Sequence, residues 1–253
     1  MSGAYDAALY ALVHRGTEGD EAFYAKLATG KRVLELGAGY GRLLPALTDN
    51  ASRYVGIEHD PGMLAAAERA RLALPVEQRE RAALVRADMR DFALQEEFDR
   101  ILIPHSGLWC LGGATEVARC LDRVLAHLAE GGLLILDTYH ADPFHEHSLP
   151  EDVPDDREEL VAEVEHAGTR YQVFERSSWD RDAQRMVVTY RYAPDAEGEA
   201  EVREGVIVHS YLLCDELATV MVNAGLESLR FAGDFAGTPL DDDDDFMVVV
   251  AAR

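Results

Sequence analysis

Cysteine is scarce in this chain. Only Cys110, Cys120 and Cys214 occur among 253 residues, with no CxxC and no histidine spaced to join them. An odd number of thiols in apolar or helical contexts argues against a disulfide framework; it fits buried free thiols in a reducing cytoplasm. Basic residues are also in short supply, 24 against 47 acids, which leaves a formal net charge of −23. No Lys/Arg stripe offsets that field locally, so a phosphate backbone would be repelled and nucleic acid is not an expected partner. Apolar runs stop well short of the roughly 20 residues of a membrane span. The first 20 residues lack a basic segment followed by an apolar one, so no secretory signal is expected. Repeats and long low-complexity tracts are missing too. The expectation is a cytoplasmic protein with no membrane partner.

What the chain does have is apolar residues, 48% of the total, enough for one large domain or a core with an insertion. Residues 5–28 read as helical, interrupted near Gly16 and Gly19. Strands and helices then alternate: strand 31–36, helix 42–48, strand 53–58, and a helix capped by Asp60 with Pro61 at its first position, running to about 74. Strands 82–87 and 98–103 follow. A helix over 115–129 stops at Gly131–Gly132, and strand 132–138 is apolar enough to be covered on both faces. Such alternation predicts crossovers and a mostly parallel sheet.

The rhythm changes after residue 140. Residues 141–159 carry Pro143, Pro150 and Pro154 and read as a mobile connection. Segments 160–166, 170–179, 185–192 and 202–211 are β-type and separated by turn-rich stretches, which predicts an antiparallel meander. A helix over 215–224 ends at Gly225, and strands 226–232 and 246–252 close the chain. The fold class expected is α/β: a Rossmann-like, mostly parallel seven-stranded sheet with helices on both faces, plus an antiparallel β insertion. Three parts follow: a core over 1–140, a linker and cap over 141–212, and the rest of the core over 213–253.

The most informative stretch is Val33-Leu34-Glu35-Leu36-Gly37-Ala38-Gly39-Tyr40-Gly41. Glycines between a strand and a helix let the backbone turn sharply and approach a ligand. Dinucleotide folds space them G-x-G-x-x-G to seat a pyrophosphate. Here the spacing is G-x-G-x-G, and Glu35 stands two residues before the first glycine. A carboxylate there repels a pyrophosphate and suits an ammonium. Glu58 ends the second strand 21 residues after Gly37, where a carboxylate can accept both hydroxyls of a ribose. Asp88 ends the third strand and could accept from an adenine amino group, with Met89 and Met63 covering the ring; plain helix capping and core packing are the competing readings. Acids and glycines at the carboxyl ends of consecutive strands converge on one crevice.

With those residues in hand, the sequence resembles the class I S-adenosylmethionine-dependent methyltransferases. The resemblance rests on VLELGAGYGRL (33–43), GIEHDPGMLAAAERA (56–70), VRADMRDF (85–92), FDRILIPHSGLWCL (98–111) and LAEGGLLILDTY (128–139). The N-terminal helix and the β insertion look like the small-molecule branch, which includes sugar N-methyltransferases and glycine or sarcosine N-methyltransferase-like enzymes. The resemblance implies S-adenosylmethionine as methyl donor. Glu35, Gly37, Ala38, Gly39 and Gly41 would cradle its methionine end, Glu58 its ribose, His59 and Met63 the adenosine flank, and Asp88 with Met89 the adenine. Pro104 and His105 follow the fourth strand, where backbone carbonyls meet the donor's amino group. Tyr10, with Tyr5 as the other candidate, matches a tyrosine that closes over the donor. Pro104-His105-Ser106 stands where DNA and protein-amide methyltransferases carry Asn/Asp-Pro-Pro-Tyr, which counts against those substrates. A catechol-type metal set is not evident, so no metal is expected, Asp137 and His140 being the residues that leave this least secure.

A sulfonium methyl is already activated, so the protein's tasks are alignment, exclusion of water and, for a hydroxyl acceptor, removal of a proton. His105 is the candidate base by position, and Tyr139 and His140 end the fifth strand at the same mouth. A hydrogen-bonded structural role is the alternative for each. His145 and His147 read as loop histidines. Trp109 is placed near the acceptor channel or in the core, and His209 and Tyr211 could reach the pocket from above. The run from Asp241 to Asp245 would give an acidic rim favouring a cationic acceptor, or simply a solvated loop. The expected acceptor is a small molecule, an amine among the candidates, with nitrogen slightly favoured over oxygen. A homodimer is left open. The competing classes are a nicotinamide-dependent oxidoreductase and a non-catalytic protein that binds the donor.

Overall fold

The computed structural model describes residues 5–152, 157–195 and 201–253; Pro154 and the turn centred on Gly198 lie outside the described residues. In chain order the first elements are α1 (Ala7–Val13), α2 (Asp20–Ala28), β1 (Arg32–Leu36), α3 (Leu44–Asn50), β2 (Arg53–Glu58), α4 (Pro61–Ala73), α5 (Val76–Arg81), β3 (Ala82–Arg86) and β4 (Phe98–Ile103). A 3₁₀ segment (Gly107–Leu111) precedes α6 (Ala114–His127), β5 (Leu128–Tyr139) and α7 (Asp142–His147). The insertion is β6 (Glu159–His166), β7 (Thr169–Asp180), β8 (Arg185–Pro194) and β9 (Arg203–Ser210), followed by α8 (Cys214–Ala224), β10 (Glu227–Ala232) and β11 (Phe246–Ala252).

The expected fold is present. Seven strands form one sheet in the order β10-β11-β5-β4-β1-β2-β3, and β6 to β9 form a separate four-stranded sheet in sequence order. β1 to β5 pair in parallel, and β11 alone is antiparallel to its neighbours β5 and β10. Two cores flank the large sheet: one holds Leu34, Leu36, Ile57, Ile101 and Trp109, the other Val33, Tyr24, Leu44, Tyr54 and Leu102. Alternate residues of β1 thus go to opposite faces, as a strand covered on both sides requires. Asp60 caps α4 as its sequence predicts, accepting from the amides of Gly62 and Met63. No described helix is long and apolar enough to cross a membrane.

Four boundaries differ from expectation. The N-terminal helix is two helices, because Gly16 and Gly19 both take positive φ (87° and 88°) and break the run. β5 starts at Leu128, four residues early. Leu128 already pairs with Phe98, and a register shift before Arg100↔Leu133, with Gly131 at φ 68°, absorbs the two glycines inside the strand. α5 was not anticipated. The stretch expected to be a loose linker begins with α7, which Pro143 opens near its first turn.

The insertion packs back onto the molecule through its inward face. Tyr171, Val173 and Tyr192 join Leu9 of α1 in a third buried cluster, and Trp179 joins the main core. By strand alternation Glu175, Tyr190 and His209 lie on that same face, since Glu175 pairs with Tyr190 and His209 with Met186, the partner of Trp179. The carboxyl ends of β1, β2, β4 and β5, the helix α1 and this face enclose the site.

Candidate active site

β1 delivers the chain into a turn that only glycine makes without strain: Gly37, Gly39 and Gly41 have φ of 77°, 56° and 84°. A methyl group on Gly41 would stand 3.1 Å from Ala67 Cα, so α4 packs hard against the turn. The amides of Gly37 and Ala38 both donate to the Ile57 carbonyl at 2.9 Å, fastening the loop to the end of β2. Glu58, only 6% exposed, then bridges outward: Oε2 accepts the Gly39 amide (2.9 Å) and Oε1 the Asp60 amide (2.7 Å), with His59 Nδ1 at 3.3 Å. The Ala87 amide donates to the Glu58 carbonyl, which brings the end of β3 alongside. Met89 follows; its Cε lies 3.2 Å from where a Cβ on Gly37 would stand.

Asp88 carries a partner the sequence did not reveal. Its Oδ1 accepts from the backbone and Nε of Arg90, and its Oδ2 from Nη2 at 2.6 Å, while Arg90 also reaches Glu116. The Arg90 guanidinium holds the Asp88 carboxyl down at about 2. Met63 is half-buried on the first turn of α4, and His59 is exposed.

Glu35 lies beneath the turn, 3% exposed, and its Oε2 accepts the Tyr54 hydroxyl at 2.5 Å. Burial raises its carboxyl to about 7, against the pull of Tyr54 and of Arg42. A carboxyl raised on folding lends stability that is complete below its unfolded pKa and is lost as pH climbs through the folded value. The Glu35→Gln variant lacks that dependence. The stability advantage of the wild type over Glu35→Gln is therefore expected to shrink by about 3 kcal/mol between pH 4.5 and 7. Parallel denaturant titrations of both proteins measure it, and a constant difference across that window contradicts the assignment.

The turn after β4 is built differently. Pro104 is buried, and His105 and Ser106 are consecutive non-glycine residues in the left-handed region, φ 53° and 56°. Such strain persists only where the surroundings over-determine it. Asp137 of β5 is what does so here. Its Oδ2 accepts the His105 amide (3.0 Å), its carbonyl the Ser106 amide (2.9 Å), and its Oδ1 the Tyr24 hydroxyl (2.5 Å). It is 1% exposed, and burial raises its carboxyl to about 6. The sequence reading weighed Asp137 only as a metal ligand; the available signal was a carboxylate inside an otherwise apolar strand.

Above these turns α1 forms a roof. Tyr10 stacks on His14 at 4.1 Å and faces Tyr40 at 6.1 Å, and the Tyr40 hydroxyl donates to the His14 carbonyl. Tyr5 and Tyr192 share a hydrogen bond between hydroxyls at 2.6 Å, and Tyr192 donates to the Leu9 carbonyl. The His14 ring meets Tyr190 at 4.7 Å and His105 at 6.4 Å, while His209 meets Tyr139 at 5.6 Å. Burial drives the His14 imidazole down to about 3 and His209 to about 4. Burial, with Arg42 nearby, lowers His105 too. All three are neutral imidazoles at pH 7. Among the described residues, two buried polar atoms in this chamber, His14 Nε2 and the Tyr139 hydroxyl, find no hydrogen-bond partner.

Of the sequence candidates, Tyr10, His105, Tyr139 and His209 meet here, and His14, Tyr40 and Tyr190 were missed. His14 stands four residues after Tyr10, a spacing that places both on one helix face. Other candidates go elsewhere. His140 turns away from the chamber: Nδ1 is 2.8 Å from the Asp244 carbonyl, and Nε2 faces Asp142 at 3.5 Å. Tyr211 accepts from Trp179 Nε1 and is 2.8 Å from His145 Nδ1, so both belong to the packing under the insertion. Trp109 is fully buried in the core. Cys110, expected to be buried, is exposed, with Tyr10 and Glu58 nearby. Asp241 to Asp245 form a largely exposed run beside His140 at the end of β5. Two surface clefts lie away from the glycine turn: one of about 460 Å³ between Gly112, Tyr211 and α8, the other of about 510 Å³ between α2 and β10. The side chains define the site because α1 already covers it.

Comparison with known proteins agrees with this geometry. Residues 33–132 match a family model described as a methyltransferase domain. A dTDP-3-amino-3,6-dideoxy-alpha-D-glucopyranose N,N-dimethyltransferase from Streptomyces fradiae is 31% identical over 201 residues, 75% of this chain and 71% of that protein. The CcbJ methyltransferase of Streptomyces caelestis shares the fold with a TM-score of 0.77 at 23% identity, over 92% of this chain and 88% of its own. CalS10 from Micromonospora echinaspora, an amino pentose methyltransferase solved with S-adenosylmethionine bound, has a TM-score of 0.65 at 23% identity, over 97% of this chain and 90% of its own. A glycine turn tied to an acid at the end of the next strand, on this strand order and with these relatives, has one reading: the chain belongs to the class I S-adenosylmethionine-dependent methyltransferases, with S-adenosylmethionine as its methyl donor.

Proposed function

We propose that the protein methylates a nitrogen of a small-molecule acceptor held between the β4 turn and the insertion. The observation that carries this reading is the chamber of aromatic rings and neutral imidazoles joined to the glycine turn through Tyr10 and Tyr40. Gly37, Ala38, Gly39 and Gly41 hold the methionine end, and Glu35 braces the turn from below and supplies the nearest carboxylate for its ammonium. Glu58 takes the ribose with the lone pairs its two amide partners leave free. His59, Met63, Asp88 and Met89 border the adenosine, with Asp88 oriented by Arg90. Pro104 presents the β4 turn, and Tyr10 closes over the donor.

The bound donor supplies a methyl group already activated by its sulfonium. The residues of this chain then have three tasks: to align the nitrogen with that methyl, to keep water out, and to hold the nitrogen unprotonated. His105, buried and neutral, accepts a hydrogen bond from the acceptor's N–H and orients its lone pair; an amine needs no stronger base. The Tyr139 hydroxyl, unpartnered in the chamber, offers a donor or acceptor to the rest of the molecule. His140 keeps the end of β5 in place through Asp244 and Asp142. The free thiols suit a cytoplasmic setting, and the acidic surface suits partners other than nucleic acid.

Calorimetry with S-adenosylhomocysteine and with NAD tests the reading. We expect micromolar affinity for the first and no heat from the second. Transfer of labelled methyl to a panel of amines and alcohols follows, with amines as the productive class. Binding of NAD without S-adenosylhomocysteine overturns the donor assignment. Methylation of alcohols alone overturns the nitrogen assignment.

A further inference from the structure

The acceptor's chemical class is legible in the charges around the chamber, and this step rests on the methyltransferase reading above. Glu175 of β7 lies directly across from Tyr190 on the inward face of the insertion. Tyr190 in turn packs edge-on against His14, which meets His105. Burial, reinforced by the Glu175 carboxylate, holds the Tyr190 phenol well above its usual range, so the pair is a carboxylate with a neutral phenol beside it. Among the described residues no Lys or Arg forms an ion pair with Glu175.

The cations near the chamber are committed elsewhere. Arg42 is locked to buried Asp20 at 2.6 Å. Arg90 is held by Asp88 and Glu116. Arg203, on the inward face of β9, lies 3.8 Å from Asp6. Arg15 is exposed and folds its Nε back onto the Leu12 carbonyl. The residues outside the described set contain no Lys or Arg, but do contain Asp155, Asp156, Glu197 and Glu199. The run from Asp241 to Asp245 adds negative charge at the end of β5, and the whole chain carries −23. A site built to take a diphosphate needs donors or cations of its own against such a field. This chamber offers aromatic faces and a carboxylate, the pair of features that receives an ammonium.

We propose that the acceptor is a phosphate-free amine, such as an amino sugar free or linked through a glycosidic bond, and that Glu175 meets its cationic nitrogen as it enters. In this the chain parts from its Streptomyces fradiae relative, whose named acceptor is a dTDP-sugar. Attraction of the ammonium to Glu175 raises the local concentration of acceptor. The proton is then lost to solvent before the nitrogen turns towards the methyl, where His105 receives the neutral amine.

The test uses the full chain loaded with S-adenosylhomocysteine for binding and with S-adenosylmethionine for turnover. Thymidine diphosphate, titrated to about 1 mM, is expected to give no binding; a Kd below that limit overturns the proposal whichever acceptors are turned over. The methyl glycoside of 3-amino-3,6-dideoxyglucose is expected to exceed its thymidine-diphosphate counterpart in kcat/KM by at least about tenfold at low salt, the gap narrowing as salt screens the field. Glu175→Gln keeps an acceptor for Tyr190 and removes the charge. It is expected to raise KM for the glycoside roughly fivefold, acting on KM rather than kcat, with its melting temperature unchanged. A preference for the diphosphate, or an unmoved KM in Glu175→Gln, sinks the idea. Failure of S-adenosylhomocysteine itself to bind is a different result, which removes the underlying methyltransferase reading.

Discussion

Replacing Glu58 by Ala is expected to weaken S-adenosylhomocysteine binding about 100-fold. A carboxylate accepting two ribose hydroxyls makes two charge-assisted hydrogen bonds of roughly 1.5–3 kcal/mol each, and about 2.8 kcal/mol corresponds to two decades of affinity. The same carboxylate also holds the amides of Gly39 and Asp60, so its loss loosens the glycine turn as well. The two contributions separate in Glu58→Gln, whose carbonyl oxygen keeps one acceptor while the charge is gone. We expect an affinity between those of Glu58→Ala and wild type, about tenfold below the latter. Calorimetry measures both, with thermal melting as the control for folding. A change of less than about threefold in Glu58→Ala, with the fold intact, removes Glu58 from the donor pocket.

The second large effect is expected at Asp137, which fastens the β4 turn from behind. Asp137→Ala leaves the Tyr24 hydroxyl and the His105 amide unpartnered inside the protein, each at a cost of about 1–3 kcal/mol, partly offset by removing a buried carboxylate. A net loss of about 3 kcal/mol in denaturant titration is the expected outcome. Turnover should fall further than stability alone explains. His105 and Ser106 occupy a strained backbone region that Asp137 enforces, and a shift of about 1 Å in a reacting group costs on the order of 100-fold in rate. Asp137→Asn, which retains an acceptor for the His105 amide, should recover most of the rate. If Asp137→Ala turns over at the wild-type rate under saturating acceptor, the β4 turn does not position the acceptor.

Much of this architecture could be read from the sequence because its signals are local. The glycine turn, Glu35 and Glu58 fall within 24 residues, and each strand from β1 to β4 announces itself by an apolar run between turn residues. The four strands of the insertion lie between turn-rich stretches, and their observed bounds fall within two residues of those expected. Two things were hidden. One was a backbone irregularity: Gly131–Gly132 looked like a helix stop followed by a strand, whereas the strand runs through them by slipping register. The other was anything assembled from afar. His14, His105, Tyr139, Tyr190 and His209 come from five separate places in the chain, and no spacing rule connects them. His140 shows the same limit from the other side. One residue past the end of β5 it was expected at the mouth, but its amide donates to the Asp245 carbonyl and its Nδ1 meets the Asp244 carbonyl, which turns it towards β11.

The helix α1 is seven residues long and is separated from α2 by glycines at 16 and 19; it sets Tyr10 against Tyr40 of the glycine turn and His14 against Tyr190 of the insertion. On the proposed reading one short helix covers both ligands, the donor on the glycine turn and the acceptor beside His14. Leu9 and the Tyr192 hydrogen bond fasten that cover to the insertion. The deeper ligand is then expected to bind first and leave last, and product-inhibition patterns measure that order.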